Sequence, residues 1–335
     1  MTPVRLPDVL VLGAGGVLGE AWMSGVLAGL EDGAGIDFRR CDTYVGTSAG
    51  SIVAARLASG RSPRRPDDVS DRPSDFARDT PVGLATDDAD AGLAREPGGD
   101  GDGDGDGDAR RGSRVVGAAR GAARLGVWAS APLVGPALAA TTPAGARLRA
   151  LALARVPAGT NRLTGLHAQV SSWGARFDGR LRIAAVDRST GRRVMFGRPG
   201  SPAASVADAV LASCAIPWVF RPVRIGDREY VDGGAWSFSN LDAAPAGRDT
   251  EVLCLNPATV SLEVARRSAL AAARAAFAAS AEIEAVALRA RAAQVRVLGP
   301  DVAAADAMGT NFMATAPAPA VHAAGYAQGR RLAGG

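Results

Sequence analysis

Tyr44-Val45-Gly46-Thr47-Ser48-Ala49-Gly50 leads directly into the apolar run Ser51-Ile52-Val53-Ala54-Ala55. The pattern predicts a strand end, a tight turn with Ser48 at its tip, and the start of a helix. Glycines two before and two after the serine allow a sharper turn than a residue with a Cβ. Such a turn lifts the hydroxyl clear of a sheet. It also sets it beside a helix N-terminus, where backbone N–H groups favour developing negative charge. This is the G-x-S-x-G spacing of a nucleophile elbow. In a chain with 42 glycines the spacing fits a structural turn equally well. It gains chemical meaning only beside an oxyanion site and a base.

Asp8 to Leu12 is a short apolar run that reads as a buried parallel strand. The loop Gly13-Ala14-Gly15-Gly16-Val17-Leu18-Gly19 follows, then a helix over Glu20 to Glu31 with Trp22, Val26, Leu27 and Leu30 on one face. A dinucleotide fingerprint needs its third glycine where Leu18 stands, and a Walker loop needs a lysine that the chain lacks. The loop reads instead as a row of N–H groups around an anion-sized concavity, or as a plain strand-to-helix turn. Arg39 to Val45 is the next predicted strand, ahead of the elbow.

From Arg61 to Gly112 the chain is rich in Asp, Arg, Pro and Gly, and it ends in a Gly-Asp repeat over 99–108. Such a stretch has too little apolar surface to offset its ordering entropy, which predicts a disordered acidic insertion. Asp100, Asp102, Asp104 and Gly105 match the opening of an EF-hand loop, but its twelfth position is Arg111 rather than Glu, which argues against calcium. No acidic residue lies between Ala109 and Phe177, where ten arginines recur. Residues 113–177 are therefore expected to form an arginine-rich helical cap within a single domain spanning 1–335. A basic-apolar segment of this kind suits either packing on the main body or peripheral contact with an anionic membrane.

Leu181 to Val186 and Arg193 to Phe196 read as a hairpin, Ser205 to Leu211 as a helix, and Val219 to Ile225 with Glu229 to Val231 as paired strands. The last pair delivers Asp232-Gly233-Gly234, an acid at a strand end with nothing bulky after it. Glu251 to Leu255 is a further buried strand, Leu262 to Gln294 a long Ala/Arg helical stretch, and Val295 to Leu298 a final strand. Strands and helices in this alternation predict an α/β fold, a three-layer α/β/α sandwich around a mostly parallel central sheet.

All 38 basic residues are arginine and the formal charge is only +4, so no nucleic-acid partner is expected. The three cysteines (Cys41, Cys214 and Cys254) are odd in number and widely spaced. They suit buried apolar positions in a reduced cytoplasmic protein without a metal site. The N-terminus lacks a signal-peptide pattern and no uninterrupted run reaches transmembrane length. His167 and His322 are the only histidines and neither sits in a motif.

The glycine loop, the Gly46-to-Gly50 elbow and Asp232-Gly233-Gly234, in that order, resemble the patatin-like phospholipase family. Ala212-Ser213-Cys214-Ala215-Ile216-Pro217 ahead of the Asp-Gly-Gly and the turn after Asp187 add to the likeness. It covers roughly residues 8–60 and 178–335. The resemblance implies a lipid acyl hydrolase without cofactor or metal, acting on a lipid or acyl-ester substrate. Ser48 would be its nucleophile, Asp232 its base, and the N–H groups of Gly15 and Gly16 its oxyanion hole. Two residues depart from the family loop: Ala14 replaces a glycine and Leu18 a basic residue, which bears on phospholipid preference. The competing readings are a Ser-His-Asp esterase using His167 or His322, and a silent lipid-binding protein on the same scaffold.

Overall fold

The structure, a computed structural model, describes residues 4–70, 75–81, 84, 143–259 and 280–334. Among these, eight strands make one sheet: β1 Val9–Leu12, β2 Thr43–Thr47, β3 Leu181–Asp187, β4 Arg193–Phe196, β5 Val223–Ile225, β6 Arg228–Asp232, β7 Glu251–Leu255 and β8 Gln294–Leu298. Their order is β5-β6-β3-β2-β1-β7-β8, with β4 beside β3. Strands β3, β2, β1, β7 and β8 are parallel; β4 and β6 lie antiparallel to β3, and β5 antiparallel to β6. The chain fills one side of β1 first and returns later to fill the other. The loops after β1 and β2 therefore open at the switch point, where α/β sheets bind ligands.

Side chains alternate across the sheet. Leu10, Leu12, Tyr44, Ile183, Leu253 and Leu255 join one core, and Val9, Val11, Val45, Ala184, Val252 and Cys254 the other. Helices α1 (Gly16–Ala34), α2 (Ala49–Ala58), α3 (Pro66–Ser70), α4 (Pro143–Arg155), α5 (Thr164–Ser171) and α6 (Val206–Cys214) precede a helical segment α7 over 280–289, α8 (Val302–Met308) and α9 (Ala318–Ala333). Side chains of α1, α2, α5, α6 and α9 fill the first core, and Ala285 and Leu288 of α7 pack into the second. This is the expected three-layer α/β/α sandwich.

Three elements differ from expectation. The predicted stripe on α1 is only part of its buried surface, because every residue from Gly16 to Leu30 is buried. Helix α9, which the sequence pattern does not announce, closes the remaining face. Glycines set how near the two helices come: a Cβ on Gly25 would lie 2.2 Å from the His322 carbonyl oxygen, and one on Gly329 would lie 2.3 Å from that of Val26. β2 also starts later than expected, since Phe38–Arg40 forms a 3₁₀ turn capped by Asp37.

Part of the segment expected from Arg61 to Gly112 to be a disordered insertion is ordered. Residues 61–70 and 75–81 pack on the body, with Phe76 fully buried against Phe220. The Glu20 carboxylate accepts the N–H groups of Asp75 and Phe76, each at 3.0 Å. Arg64 pairs with Asp75 at 2.6 Å. The Gly-Asp repeat, the arginines from 110 to 124 and the Ala/Arg stretch up to residue 279 lie outside the described residues. Of the expected cap, α4 and α5 are helical.

Candidate active site

The turn between β2 and α2 places Ser48 at φ 51°, ψ −124°, a region that a side chain avoids at a cost of order 1–3 kcal/mol. Three contacts hold it there. The Ser48 N–H donates to Ser213 Oγ at 2.8 Å, and its carbonyl accepts from the Ser51 N–H at 2.8 Å and from Ser51 Oγ at 2.6 Å. The flanking glycines supply space and are not themselves in the left-handed region. A Cβ on Gly50 would lie 2.1 Å from the Leu12 carbonyl oxygen, and one on Gly46 would lie 2.5 Å from Ser51 Cα. The G-x-S-x-G spacing therefore lets α2 sit hard against β1 and β2, while the serine itself takes the strained conformation.

Sheet register brings the acid to the serine. Thr47 pairs with Ala184 and Asp232 with Ala185, so Ser48 and Asp232 flank β3 at nearly the same level. Their backbones stand two strand spacings apart, roughly 10 Å, and the strand between carries only alanine methyls there. Across that gap Ser48 Oγ donates to Asp232 Oδ2 at 2.7 Å. The other carboxylate oxygen accepts the Gly234 N–H at 2.7 Å. Both residues are nearly enclosed, Ser48 at 3% exposed and Asp232 at 5%. Burial pushes the Asp232 carboxyl up to about 7, against the opposing pull of its bonds from Ser48 and Gly234. A base with that pKa ionises near neutrality and still accepts a proton readily.

Ser213 and Ala215 align the two sides. Ser213 Oγ accepts the Ser48 N–H, and the Ala215 carbonyl accepts the Asp232 N–H at 3.0 Å. The motif Ala212 to Pro217 was visible in the sequence, but this function of Ser213 was not.

The glycine loop after β1 turns into α1 with Gly15 as its N-cap and Gly16 at φ 58°. The N–H groups of Gly13, Ala14, Leu18 and Gly19 are taken by the carbonyls of Leu255, Phe238, Phe312 and Gly15, at 2.7 to 3.1 Å. No described residue accepts from the N–H of Gly15 or Gly16. Such free donors at a helix N-terminus suit an anion. Leu18 is fully buried in the core. Its side chain packs in the first core beneath the loop.

The histidines lie elsewhere. His322 is buried on α9, with Nε2 2.9 Å from the Arg64 carbonyl oxygen, and burial holds its pKa down. His167 is half-buried beside Asp208 at 3.3 Å. All three cysteines are buried and free, and burial raises their thiol pKa values. Among the described residues no three His, Cys, Asp or Glu side chains group as metal ligands would.

A family model described as patatin-like phospholipase matches residues 10–245. Among solved structures, the crystal structure of VipD from Legionella pneumophila is similar at 16% identity and a TM-score of 0.45, covering 99% of this chain and 67% of that one. No curated protein matches the chain.

Proposed function

The chain belongs to the patatin-like phospholipase family, whose members are generally lipid acyl hydrolases, and from that premise we propose that it cleaves acyl esters with a Ser48–Asp232 dyad. The observation that carries the reading is the 2.7 Å bond from Ser48 Oγ to Asp232 Oδ2. In the first step Ser48 Oγ attacks the ester carbonyl carbon while its proton passes to Asp232. The carbonyl electron pair moves onto oxygen, and the N–H groups of Gly15 and Gly16 stabilise that oxyanion, a task worth about 3–4 kcal/mol per donor in comparable sites. Collapse of the tetrahedral intermediate expels the alcohol, which takes the proton from Asp232 and leaves an acyl-serine. Asp232 then removes a proton from water for the second attack, and Ser48 recovers its proton when the acid departs.

Two features support this assignment over a triad. The carboxyl pKa near 7 fits a base working without a histidine. His322 is engaged by the Arg64 carbonyl and His167 by Asp208.

The same reading takes a lipid as substrate and assigns α4 to peripheral contact with its surface. Leu148 is 58% exposed and Leu151 53% exposed on that helix, and the exposed Arg147 and Arg155 flank them. Among the described residues no helix is long and apolar enough to cross a membrane. The test is a fluorophosphonate probe with short p-nitrophenyl esters. The wild-type protein should take the label and hydrolyse the ester, and Ser48→Ala should do neither. A pure wild-type protein that is neither labelled nor active would end the hydrolase reading.

A further inference from the structure

Behind the Ser48–Asp232 contact lies a second polar cluster to which the proposed chemistry assigns no part. Its centre is Asn240, which is 0% exposed and sits in the left-handed region at φ 48°, ψ 34°. Asparagine tolerates that conformation better than most side chains. Its amide Nδ2 donates to the Ser237 carbonyl at 2.6 Å, to Thr47 Oγ1 at 3.1 Å and, more weakly, to the Gly233 carbonyl at 3.4 Å. Thr47 immediately precedes the serine and Gly233 immediately follows the aspartate. One amide thus touches both residues next to the reacting pair.

We infer that Asn240 is a positioning residue, a clamp that fixes the end of β2 against the end of β6 so that Ser48 Oγ and Asp232 stay within proton-transfer distance. This rests on the Ser–Asp reading above. The reason a clamp is needed lies in the sheet. Ser48 and Asp232 are on strands that do not touch each other, separated by β3. Backbone hydrogen bonds set their level, but each residue lies where its strand gives way to a turn, and a small drift of either turn opens the contact.

The clamp is itself held firmly. Arg193 Nη1 donates to Asn240 Oδ1 at 3.1 Å, which fixes which end of the amide faces Thr47. The guanidinium is locked in turn by a two-pronged pair with Asp242, at 2.5 and 2.7 Å, and lies over the Trp236 ring. The Asn240 N–H donates to Ser237 Oγ at 3.0 Å. On either side, Glu284 Oε2 accepts from Ser239 Oγ at 2.6 Å and from the Leu241 N–H at 2.8 Å. A buried network this fully paired loses geometry when its central donor is removed.

Asn240→Gly is the informative variant, because glycine accepts the left-handed backbone and only the amide is lost. Its kcat on a p-nitrophenyl ester, per active site titrated with fluorophosphonate, should fall roughly 10- to 100-fold at unchanged KM, as an ångström-scale misplacement does. Thr47→Val removes the acceptor at one jaw without changing shape, and should lower kcat in the same direction. The double variant should then lose little more than Asn240→Gly alone, because both remove one contact. A merely structural asparagine would lower the titrated fraction and Tm while leaving kcat per site intact. If Asn240→Gly does not fold, Thr47→Val decides alone. Wild-type kcat per site in Asn240→Gly, or in Thr47→Val when it stands alone, would overturn the inference, as would full additivity of the pair. Ser48→Ala run in parallel separates the two claims: hydrolysis surviving there defeats the dyad itself, whereas hydrolysis lost there but intact in Asn240→Gly defeats only the clamp.

Discussion

Replacing Asp232 with Asn should destroy activity and stabilise the protein, and the stabilisation should depend on pH in a calculable way. The carboxyl ionises at about 7 in the folded state against 3.8 as the ordinary value. Below pH 4 it is protonated in both states and contributes no difference. Between about 4 and 7 the folded state keeps its proton while the unfolded chain gives it up, so stability falls as pH rises. Above 7 the loss is complete. At 1.36 kcal/mol per unit of pKa, the interval of about three units amounts to roughly 4 kcal/mol. An uncharged amide can still accept the Gly234 N–H and escapes this cost. The assay is urea unfolding of both proteins from pH 4.5 to 9. The Asp232→Asn variant should gain little at the acid end, and its advantage should widen to several kcal/mol above pH 7. A stability difference that is flat with pH, or a variant weaker than wild type at pH 8, would refute the burial argument. The acid limb of wild-type kcat/KM should fall at about pH 7 as the same group protonates. Activity would then rise over the range in which stability declines.

Ser213→Ala removes the acceptor for the Ser48 N–H. It should cost about 1–3 kcal/mol in chemical unfolding, and it should lower kcat by relaxing the strained turn. Restoring the family's basic residue by Leu18→Arg should not create phospholipid preference. It buries a charge in the core, so Tm should drop by many degrees, while the ratio of phospholipid to neutral-ester turnover stays as it was. Leu148→Asp with Leu151→Asp should reduce cosedimentation with anionic vesicles while leaving p-nitrophenyl ester hydrolysis unchanged. Equal sedimentation would remove α4 from membrane contact.

The legible parts of the chain are those whose cause is local. Ser48, Asp232 and the glycine loop could be found because each sits at a strand end marked by glycines within two residues. β1 and β7 were legible as short apolar runs buried on both faces. What was hidden acts at long range. Ser213 lies 165 residues from Ser48 and Asn240 lies 193 residues from Thr47, and nothing local ties either to its distant partner, even though Ser213 sits in a visible motif. Helix α9 escaped notice because its contact face is made of Gly325 and Gly329 against Gly25 and Gly29. The rest of its buried face includes His322 and Gln328, so α9 carries little apolar stripe for periodicity to detect. The late start of β2 has a similar origin: Tyr44 Oη donates back to the Phe38 carbonyl at 2.8 Å, holding as a turn a segment whose composition reads as strand.

The docking of α9 on α1 also sets the order in which a ribosome can deliver a working site. Ser48 emerges early and Asp232 some way behind it, but the carbonyl that takes the Leu18 N–H belongs to Phe312. The helix that closes the outer face of α1 follows at Ala318–Ala333. A nascent chain that has not reached these residues holds the proposed nucleophile and base, but the loop proposed to receive the oxyanion lacks the Phe312 carbonyl. On the proposed chemistry, the oxyanion loop would therefore be completed after both members of the dyad, and the packing of α1 later still, when α9 is made.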